Sequence, residues 1–341
     1  MRKRVTSNDV AVKAGVSRTT VSLVLNNVGG IQISPETRQR VMEAANELGY
    51  VPDATAQALA SRRAKAIGLV MTRSPHHIAS DTFLPQIMGG MMEVVKDHKL
   101  RLLFEYVEEE HQEYAYLELA RAKHIDGMIL LTPRLDDAGL KRLEEVEIPT
   151  VLMGDIEGTS LYCVDVDNRL AAQQAVQYLI GLGHTQIACI THAPASYTAA
   201  PDRVRGYKSA LLEAGITPAE ELIRYADFTP ESGYDSMKSL LASPKKFTAV
   251  FIASDNVAIG GKAALREAGM RIPEDISLVG FDDIPWAQFA DPPLTTVHLQ
   301  AEELARRACL VLMDLLKGKE PAMKRQIVDT QLVVRKSCRR L

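Results

Sequence analysis

The chain has 341 residues, 46% of them hydrophobic, which is enough to bury a sizeable core. Its net charge is only −3, a value that alone gives no indication of a nucleic-acid partner. The charge is unevenly distributed, however. Residues 1–65 contain ten Lys and Arg against five Asp and Glu, a net charge of +5, which leaves −8 for the remainder. A basic N-terminal segment on an acidic body indicates a polyanionic partner at one end.

Sorting signals and cysteine spacing further restrict the class of protein to which the chain can belong. The chain begins MRKRVTSNDV, with no apolar run after the basic residues, so no signal peptide is expected. No stretch approaches the ~18 apolar residues that a membrane span needs. The four cysteines have no CxxC spacing, so neither a zinc site nor a disulfide framework is expected; they are Cys163, Cys189, Cys309 and Cys338. We therefore expect a cytoplasmic protein with reduced thiols.

The first 52 residues carry the start signals of three short helices. Residues 6–9, TSND, have the form of a capping box, and Gly15 allows a tight turn after the first helix. Ser17 can cap a second helix. Ser34 followed by Pro35 is typical of the start of a third helix. Two short helices joined by a glycine turn and braced by a third form a helix-turn-helix unit.

The start of the second helix is where such a unit enters the major groove. Arg18 can bond two acceptors on guanine, and the hydroxyls of Thr19, Thr20 and Ser22 suit phosphate or base contacts. Apolar periodicity alone leaves open an ordinary three-helix bundle with a polar surface. The net charge of +5 favours DNA.

The same region resembles a known family. The segments DVAVKAGVSRTTVSLVLN, ISPETRQRVMEAANELGYVPD and ATAQALASRRAKAIGLV are similar to the head, third helix and hinge of the lactose-repressor (LacI/GalR) family, and the resemblance continues to LVVRKS. It implies that Arg18 and Thr19 read bases, whereas Leu23, at a third reading position, cannot donate a hydrogen bond. The further DNA contacts expected in the head fall on Thr6, Ser17, Thr20, Ser22, Asn26, Ser34, Thr37 and Tyr50.

Residues 53–65 form a candidate hinge between the head, residues 1–52, and the body. ATAQALAS has high helix propensity but is too short to be helical alone in water, so we expect it to order on binding DNA. The resemblance implies that two hinges pair in the minor groove, where Ala56 and Leu59 contact DNA and Leu59 wedges a base step apart. The residues alone leave open a linker with Leu59 in a core between subunits.

From residue 66 to residue 341, short apolar runs alternate with amphipathic segments of helix length. The strand candidates are IGLVMT, RLLFEYV, GMILLT, TVLMGD, QIACITH, AVFIASD and ISLVGFDD. This alternation predicts parallel sheets covered by helices on both faces. The length favours two doubly wound α/β halves, similar to periplasmic binding proteins, with crossings near 165 and 290–330. Small ligands bind at the carboxyl ends of such strands.

Enzyme signatures are absent from this body. We find no GxGxxG after a strand, no P-loop and no GxSxG elbow, and therefore expect neither catalysis nor a cofactor. His76 and His77 have no spaced acidic or histidine partner in the sequence. Residues 165–168, DVDN, lack the glycine and closing glutamate of a calcium loop. Asp282 and Asp283 could bind a metal, but a ligand acceptor beside a solvated neighbour is the favoured interpretation.

Polar residues at strand ends suit a hydroxylated effector. Ser254, Asp255 and Asp282 end strand candidates, and for Asp255 we favour a role as cap of the next helix. The family resemblance implies effector contacts by Arg203 in RVRGY, by Asp282 and by Phe228 in DFTPESGY. Ser254 stands where family members often have Asn. The remaining candidates are Trp286, which can stack on a sugar or pack under a loop, and Phe83 and Asp155.

These features predict a sequence-specific DNA-binding regulator, expected to be a repressor, that binds a two-fold symmetric operator as a homodimer. A small molecule in the cleft of the body would control operator affinity. The resemblance favours a sugar or sugar derivative over a purine. The alternative is a solute-binding receptor without a DNA role, because the body alone resembles periplasmic sugar receptors.

Overall fold

The structure is a computed structural model that describes residues 5–26, 32–51, 63–107, 112–146 and 148–341. The chain divides into two compact units, Met1–Lys65 and Ala66–Leu341. From here on, the name head is used for the whole first unit, which includes the expected hinge, and the second unit is the body.

The head contains α1 (Ser7–Ala14), α2 (Arg18–Leu25) and α3 (Pro35–Glu47), as predicted. Thr6 and Asp9 form the reciprocal capping box, and Gly15 ends α1 at a φ of 65°. The side chains of Ser17 and Ser34 cap α2 and α3. One face of each helix is buried in a small shared core of Val10, Ala11, Ala14, Val21, Val24, Val41, Ala44 and Ala45. Ala56 and Leu59 of the expected hinge lie outside the described residues, so their roles stay predictions.

The body contains two six-stranded sheets, as the α/β prediction requires. The first has five parallel pairs in the order β11 (Arg325–Val328), β5 (Tyr162–Val166), β4 (Thr150–Met153), β3 (Gly127–Leu131), β1 (Ala66–Met71) and β2 (Arg101–Tyr106). The second has the order β12 (Thr330–Val333), β10 (Thr295–Leu299), β9 (Ser277–Asp282), β8 (Ala249–Ile252), β6 (Ile187–Thr191) and β7 (Ile223–Tyr225). Only β12 pairs antiparallel in it.

Helices cover both sheets. They are α4 (Pro75–Ser80), α5 (Leu84–Asp97), α6 (Gln112–Arg121), α7 (Ala138–Glu145), α8 (Asn168–Gly181), α9 (Ala199–Glu213), α10 (Pro230–Leu241), α11 (Asp255–Glu267) and α12 (Ala301–Leu316). Helix α8 packs on the second sheet, and α12 packs on the first. We call the first sheet with its helices the first lobe and the second sheet with its helices the second lobe.

The chain passes between the lobes three times, each time through a single residue. Asp167 connects β5 to α8, Gln300 connects β10 to α12, and Asp329 connects β11 to β12. The Gln300 side chain donates a hydrogen bond of 3.0 Å to the Asp329 carbonyl, which ties two of these connections together. Such short links restrict the lobes to hinge or shear motions.

The buried carboxylate of Asp255, which follows β8, joins the carboxyl end of β9 to the neighbouring strand β10. It accepts hydrogen bonds from the backbone N–H of Phe281 (2.9 Å) and Ile284 (3.1 Å) and from the hydroxyl of Thr296 (2.7 Å). Our interpretation of Asp255 as a helix cap was wrong. Ser254 caps α11 through its side chain, which accepts from the N–H of Asn256, and so leaves Asp255 free to join the strands.

Helix α5 approaches α12 closely at a glycine. A Cβ atom on Gly90 would lie 2.2 Å from the carbonyl oxygen of Glu302, whereas a Cβ on the adjacent Gly89 would meet nothing within 4 Å. Gly89 is exposed and Gly90 is buried. Alanine substitutions at the two positions therefore distinguish the effect of helix packing from the effect of helix propensity.

We expect Gly90→Ala to destabilise the body by about 1–3 kcal/mol, because the added methyl group forces the two helices apart. Gly89→Ala is the matched control and should stabilise it by about 1 kcal/mol, because alanine favours a helix over glycine. Urea unfolding of the two variants measures both effects. Similar effects of the two substitutions would contradict the close α5–α12 contact.

The buried carboxyl of Asp255 makes stability depend on pH. Burial raises its pKa well above the ordinary value of 3.8, and the negative charge of Asp282 adds to the shift. A carboxyl whose pKa is higher in the folded chain stabilises the fold at low pH. That contribution is lost as the pH rises above 3.8 and through the folded-state value.

We therefore expect the wild type to lose stability relative to Asp255→Asn, by about 1 kcal/mol or more, between about pH 5 and pH 8. The amide does not titrate, whereas the other ionisable groups are present in both proteins. Urea unfolding at the two pH values measures the difference. A pH-independent difference between the proteins would show that Asp255 does not titrate on folding.

Candidate functional site

The exposed start of α2 presents the residues that sequence analysis assigned to base reading. Arg18 and Thr19 are exposed, and the Arg18 Nε donates a 3.1 Å hydrogen bond to the Ser7 hydroxyl on α1. The hydroxyls of Ser17 and Thr20 share a hydrogen bond of 2.9 Å. Leu23 is half-buried and contributes no polar group. This end of the helix therefore carries a guanidinium and several hydroxyls on one surface.

The expected phosphate contacts lie at helix ends. Ser34 and Thr37 share a 3.1 Å hydrogen bond at the start of α3, where unpaired backbone N–H groups favour anions. Asn26 donates a 3.1 Å hydrogen bond to the Ser22 hydroxyl at the end of α2. Tyr50 is half-buried after α3. These residues present hydroxyl and amide groups suited to phosphate oxygens, and their DNA roles stay predictions.

A cleft of about 880 Å³ separates the lobes of the body at the carboxyl ends of their strands. It is lined by five of the predicted effector residues, Phe83, Arg203, Phe228, Ser254 and Asp282. Two other candidates do not line it. Trp286 is 65% exposed outside the cleft, so neither the stacking nor the packing role expected of it fits. Asp155 instead forms a 3.1 Å ion pair with Arg325.

Arg203 is the best-anchored group in the cleft. It lies in the first turns of α9 and is 6% exposed. Its Nε donates to the Asn168 side chain (2.9 Å), and its Nη1 donates to the Ala253 carbonyl (2.6 Å). Its Cζ lies 3.7 Å from the centroid of the Phe281 ring. The guanidinium is thus fixed before any ligand binds.

Two carboxyl groups interact electrostatically with this guanidinium: that of Asp282 is buried, and that of Asp165 is partly buried. Asp282 Oδ1 is 3.8 Å from Arg203 Nη1. Burial raises the pKa of Asp282 to about 7, although the charge of Arg203 and a hydrogen bond from Ser254 oppose the shift. Burial also raises the pKa of Asp165 to about 7. Near neutral pH each carboxyl is therefore present both in the ionised form, which accepts hydrogen bonds, and in the protonated form, which can also donate one. Either form can pair with the hydroxyl groups of a ligand.

The opposite part of the cleft is aromatic. Phe228 has a φ of 60°, and its ring lies edge-on to those of Tyr197 (centroids 4.8 Å apart) and His192 (5.6 Å). Its backbone is held on both sides, because its N–H donates to the His192 carbonyl and its carbonyl accepts from Asn256 Nδ2. A backbone held in this rare conformation indicates a functional site.

Sequence reasoning missed several cleft residues. They are Arg73, Asp81, Asn168, His192 and Tyr197. Arg73 is the second residue after β1, and His192 directly follows β6, so the strand-end rule that selected Asp282 could have found them. It also missed the partner of His77, whose Nε2 lies 3.0 Å from Asp227 Oδ2 of the other lobe, because the two residues are 150 positions apart.

Among the described residues, no group of three or more His, Cys, Asp or Glu is placed to hold a metal ion. Asp283, considered as half of a metal pair, instead pairs with Arg335 (2.7 Å) and His298 (3.1 Å). In the same part of the chain, no helix has the length and apolar character needed to cross a membrane.

Comparison with known proteins identifies both units. Residues 6–53 match the family of bacterial regulatory proteins called the lacI family, and residues 176–338 match a periplasmic binding protein-like domain. The HTH-type transcriptional regulator CelR of Thermobifida fusca is 36% identical, over 98% of this chain and 99% of its own. The HTH-type transcriptional repressor CytR of Escherichia coli K12 is 35% identical, over 98% and 97% of the two chains.

Solved structures agree over nearly the full length. The lac repressor dimer bound to operator and the anti-inducer ONPF has a TM-score of 0.85 at 29% identity, over 98% of this chain and 99% of that one. The CelR–cellobiose complex has a TM-score of 0.75 at 35% identity, over 98% and 100%. These relatives carry the head as well as the body, which excludes a receptor without a DNA role. The chain therefore belongs to the lacI family of bacterial regulatory proteins and is a DNA-binding transcriptional regulator.

Proposed function

We propose that this regulator is a cytoplasmic repressor that binds a two-fold operator as a homodimer and changes its operator affinity when a sugar or sugar derivative occupies the cleft. The observation that carries the proposal is the fixed guanidinium of Arg203, accompanied by Asp165 and Asp282 in the cleft between the lobes. Paired donors and acceptors of this kind match the adjacent hydroxyl groups of a sugar.

The choice of a sugar rests on chemistry and on one relative. The carboxyls of Asp165 and Asp282 accept hydrogen bonds from hydroxyl groups, and the rings of Phe83 and Phe228 offer apolar surface to a sugar face. The related CelR structure is a complex with cellobiose. A purine is the second candidate, since the same rings can stack on a base.

Coupling between ligand and operator follows from the two lobes. A ligand that contacts both lobes favours the arrangement in which those contacts are made, and it shifts the equilibrium only by its difference in affinity for the two arrangements. The single-residue links at Asp167, Gln300 and Asp329 restrict the change to a small set of motions. By linkage, a ligand that weakens operator binding is itself bound more weakly by the operator complex.

Direct base reading is tested at Arg18. We expect Arg18→Ala to lose about 1–3 kcal/mol of discrimination at one base pair in each half-site, because one bidentate contact to guanine is removed. A binding-site selection from a randomised duplex library would identify the operator, and fluorescence anisotropy would measure affinities for single-base variants.

The control for Arg18 is the exposed Arg40 on α3, which carries the same charge. Arg40→Ala should weaken binding to operator and scrambled DNA alike, because it removes only charge. Unchanged base preference in Arg18→Ala would contradict direct reading by Arg18.

The effector site is tested at Asp282. We expect Asp282→Asn to keep operator affinity but to need at least about tenfold more ligand for the same response, because a charge-assisted hydrogen bond is lost. Calorimetry with a panel of monosaccharides, disaccharides and nucleosides would identify the ligand. Trp286→Ala, outside the cleft, should respond as the wild type does. Equal ligand sensitivity of Asp282→Asn and wild type would remove Asp282 from the effector site.

A further inference from the structure

Three polar groups in the cleft are not used by the cluster around Arg203. They belong to Arg73 and Thr82 of the first lobe and to His192 of the second, and all three residues line the cleft. Arg73 Nε, Thr82 Oγ1 and His192 Nδ1 are buried atoms without a hydrogen-bond partner in the protein. Buried polar groups are normally paired, so each such atom needs an explanation.

Contacts with Phe228 and Asp81 connect the three residues. Arg73 Cζ lies 4.6 Å from the centroid of the Phe228 ring, and the His192 ring lies 5.6 Å from the same centroid. Thr82 follows Asp81, whose carboxylate pairs with Arg73 Nη2 at 2.5 Å. Arg73 is 4% exposed and His192 is 7% exposed, so water has little access to either side chain. We call these three residues the donor subsite.

Asp81 does not satisfy the donor subsite. Its Oδ1 accepts from the backbone N–H groups of Phe83 (2.7 Å) and Leu84 (3.0 Å), and its Oδ2 accepts from Arg73 Nη2. These contacts fix the guanidinium and the start of α5. They do not involve Arg73 Nε, which has no acceptor within the protein.

The donor subsite requires acceptor oxygens. A guanidinium nitrogen can only donate, and a hydroxyl and a neutral imidazole can each donate one hydrogen bond. Burial keeps the pKa of His192 well below its ordinary value of 6.5, and the positive charges of Arg203 and Arg73 lower it further. The imidazole is therefore neutral, and in the tautomer protonated at Nδ1 it donates one hydrogen bond from that atom.

A carboxylate meets this requirement better than other oxygen groups. It has two oxygens with about four acceptor sites, whereas one carbonyl oxygen has two lone pairs for three donors. A hydroxyl also brings a proton that a donor-only nitrogen cannot accept. The positive charge of Arg203, which also lowers the pKa of His192, adds to the attraction for an anion.

We infer that the donor subsite of Arg73, Thr82 and His192 binds the carboxylate of the effector, so that the effector is a sugar acid rather than a neutral sugar. This inference rests on the proposed function. The hydroxyl groups of the ligand face Arg203, Asp165 and Asp282, and its carboxylate faces the donor subsite. The two parts of the cleft thereby fix the orientation of the ligand as well as its class.

The experiment compares sugar acids with their neutral counterparts on the full chain. Calorimetry at neutral pH would use D-glucuronate and D-galacturonate against D-glucose, D-galactose and the methyl esters of the two acids. We expect at least one acid to bind ten or more times as tightly as its neutral counterpart and its ester, which corresponds to about 1.4 kcal/mol.

Variants then assign the preference to the donor subsite. Thr82→Val keeps the size of the side chain and removes the hydroxyl, and His192→Leu removes the imidazole. Each should reduce the ratio of acid to neutral affinity several-fold. His192→Gln, which retains a donor, should recover part of the ratio. A purely structural role of these residues would lower both affinities equally and overturn the assignment, and Thr82→Val provides this readout even if His192→Leu does not fold.

Other outcomes separate the two hypotheses. A neutral sugar or a nucleoside that binds as tightly as any acid, and that releases or recruits operator DNA, overturns the acidic ligand and leaves the proposed function intact. Failure of every acid and every neutral compound to bind at millimolar concentration counts against both.

Discussion

The buried guanidinium of Arg203 is the interaction on which the rest of the cleft depends. A charge removed from water is tolerated only when hydrogen bonds and opposite charges compensate it. Here Asn168 at the start of α8 and the Ala253 carbonyl after β8 accept its hydrogen bonds, and Asp282 at the end of β9 supplies charge. One side chain thereby fixes the relative positions of a crossover helix and two strand ends.

The same arrangement leaves the positive charge of Arg203 only partly compensated. Asp282 is 3.8 Å from Arg203, which is too long for a hydrogen bond, and its carboxyl has a pKa of about 7. The backbone is also held in rare conformations around the cleft, with positive φ at Thr132, Phe228 and Asp282. Strained backbone and polar groups without a hydrogen-bond partner therefore lie around the cleft, where a bound ligand can compensate for them, whereas the hydrophobic cores are built from regular strands and helices.

Sequence patterns predicted the parts of this fold whose burial is uniform. Strands such as β1, β3 and β8 are buried along their whole length and stand out as apolar runs. Some shorter or more polar strands do not stand out as apolar runs and were not predicted. Among them, β10 reads TTVHL, β7 has three residues, and β5 contains Asp165. The head was predictable because caps act locally; the Thr6–Asp9 capping box needs no tertiary contact.

The residues themselves indicated the cleft only where a strand end carries a polar group, as at Ser254 and Asp282. Arg203, on helix α9, and Phe228 were expected there from the family resemblance. The contact between His77 and Asp227 was not predicted, because the two residues are 150 positions apart in the chain and belong to different lobes. Trp286 was misassigned for the converse reason. It is close in sequence to Asp282, but the chain turns outward after β9 and leaves the ring 65% exposed.

The way in which the lobes are joined determines how ligand binding can reach the DNA. Were the lobes joined by one long linker, a ligand could close the cleft with no fixed direction of movement. Three single-residue links, two of them tied by the Gln300–Asp329 hydrogen bond, leave few motions. The first lobe begins directly after the head, at Ala66, so movement of that lobe acts on the segment leading to the DNA-binding helices. Contacts made in the cleft can therefore favour only a few relative movements of the two lobes.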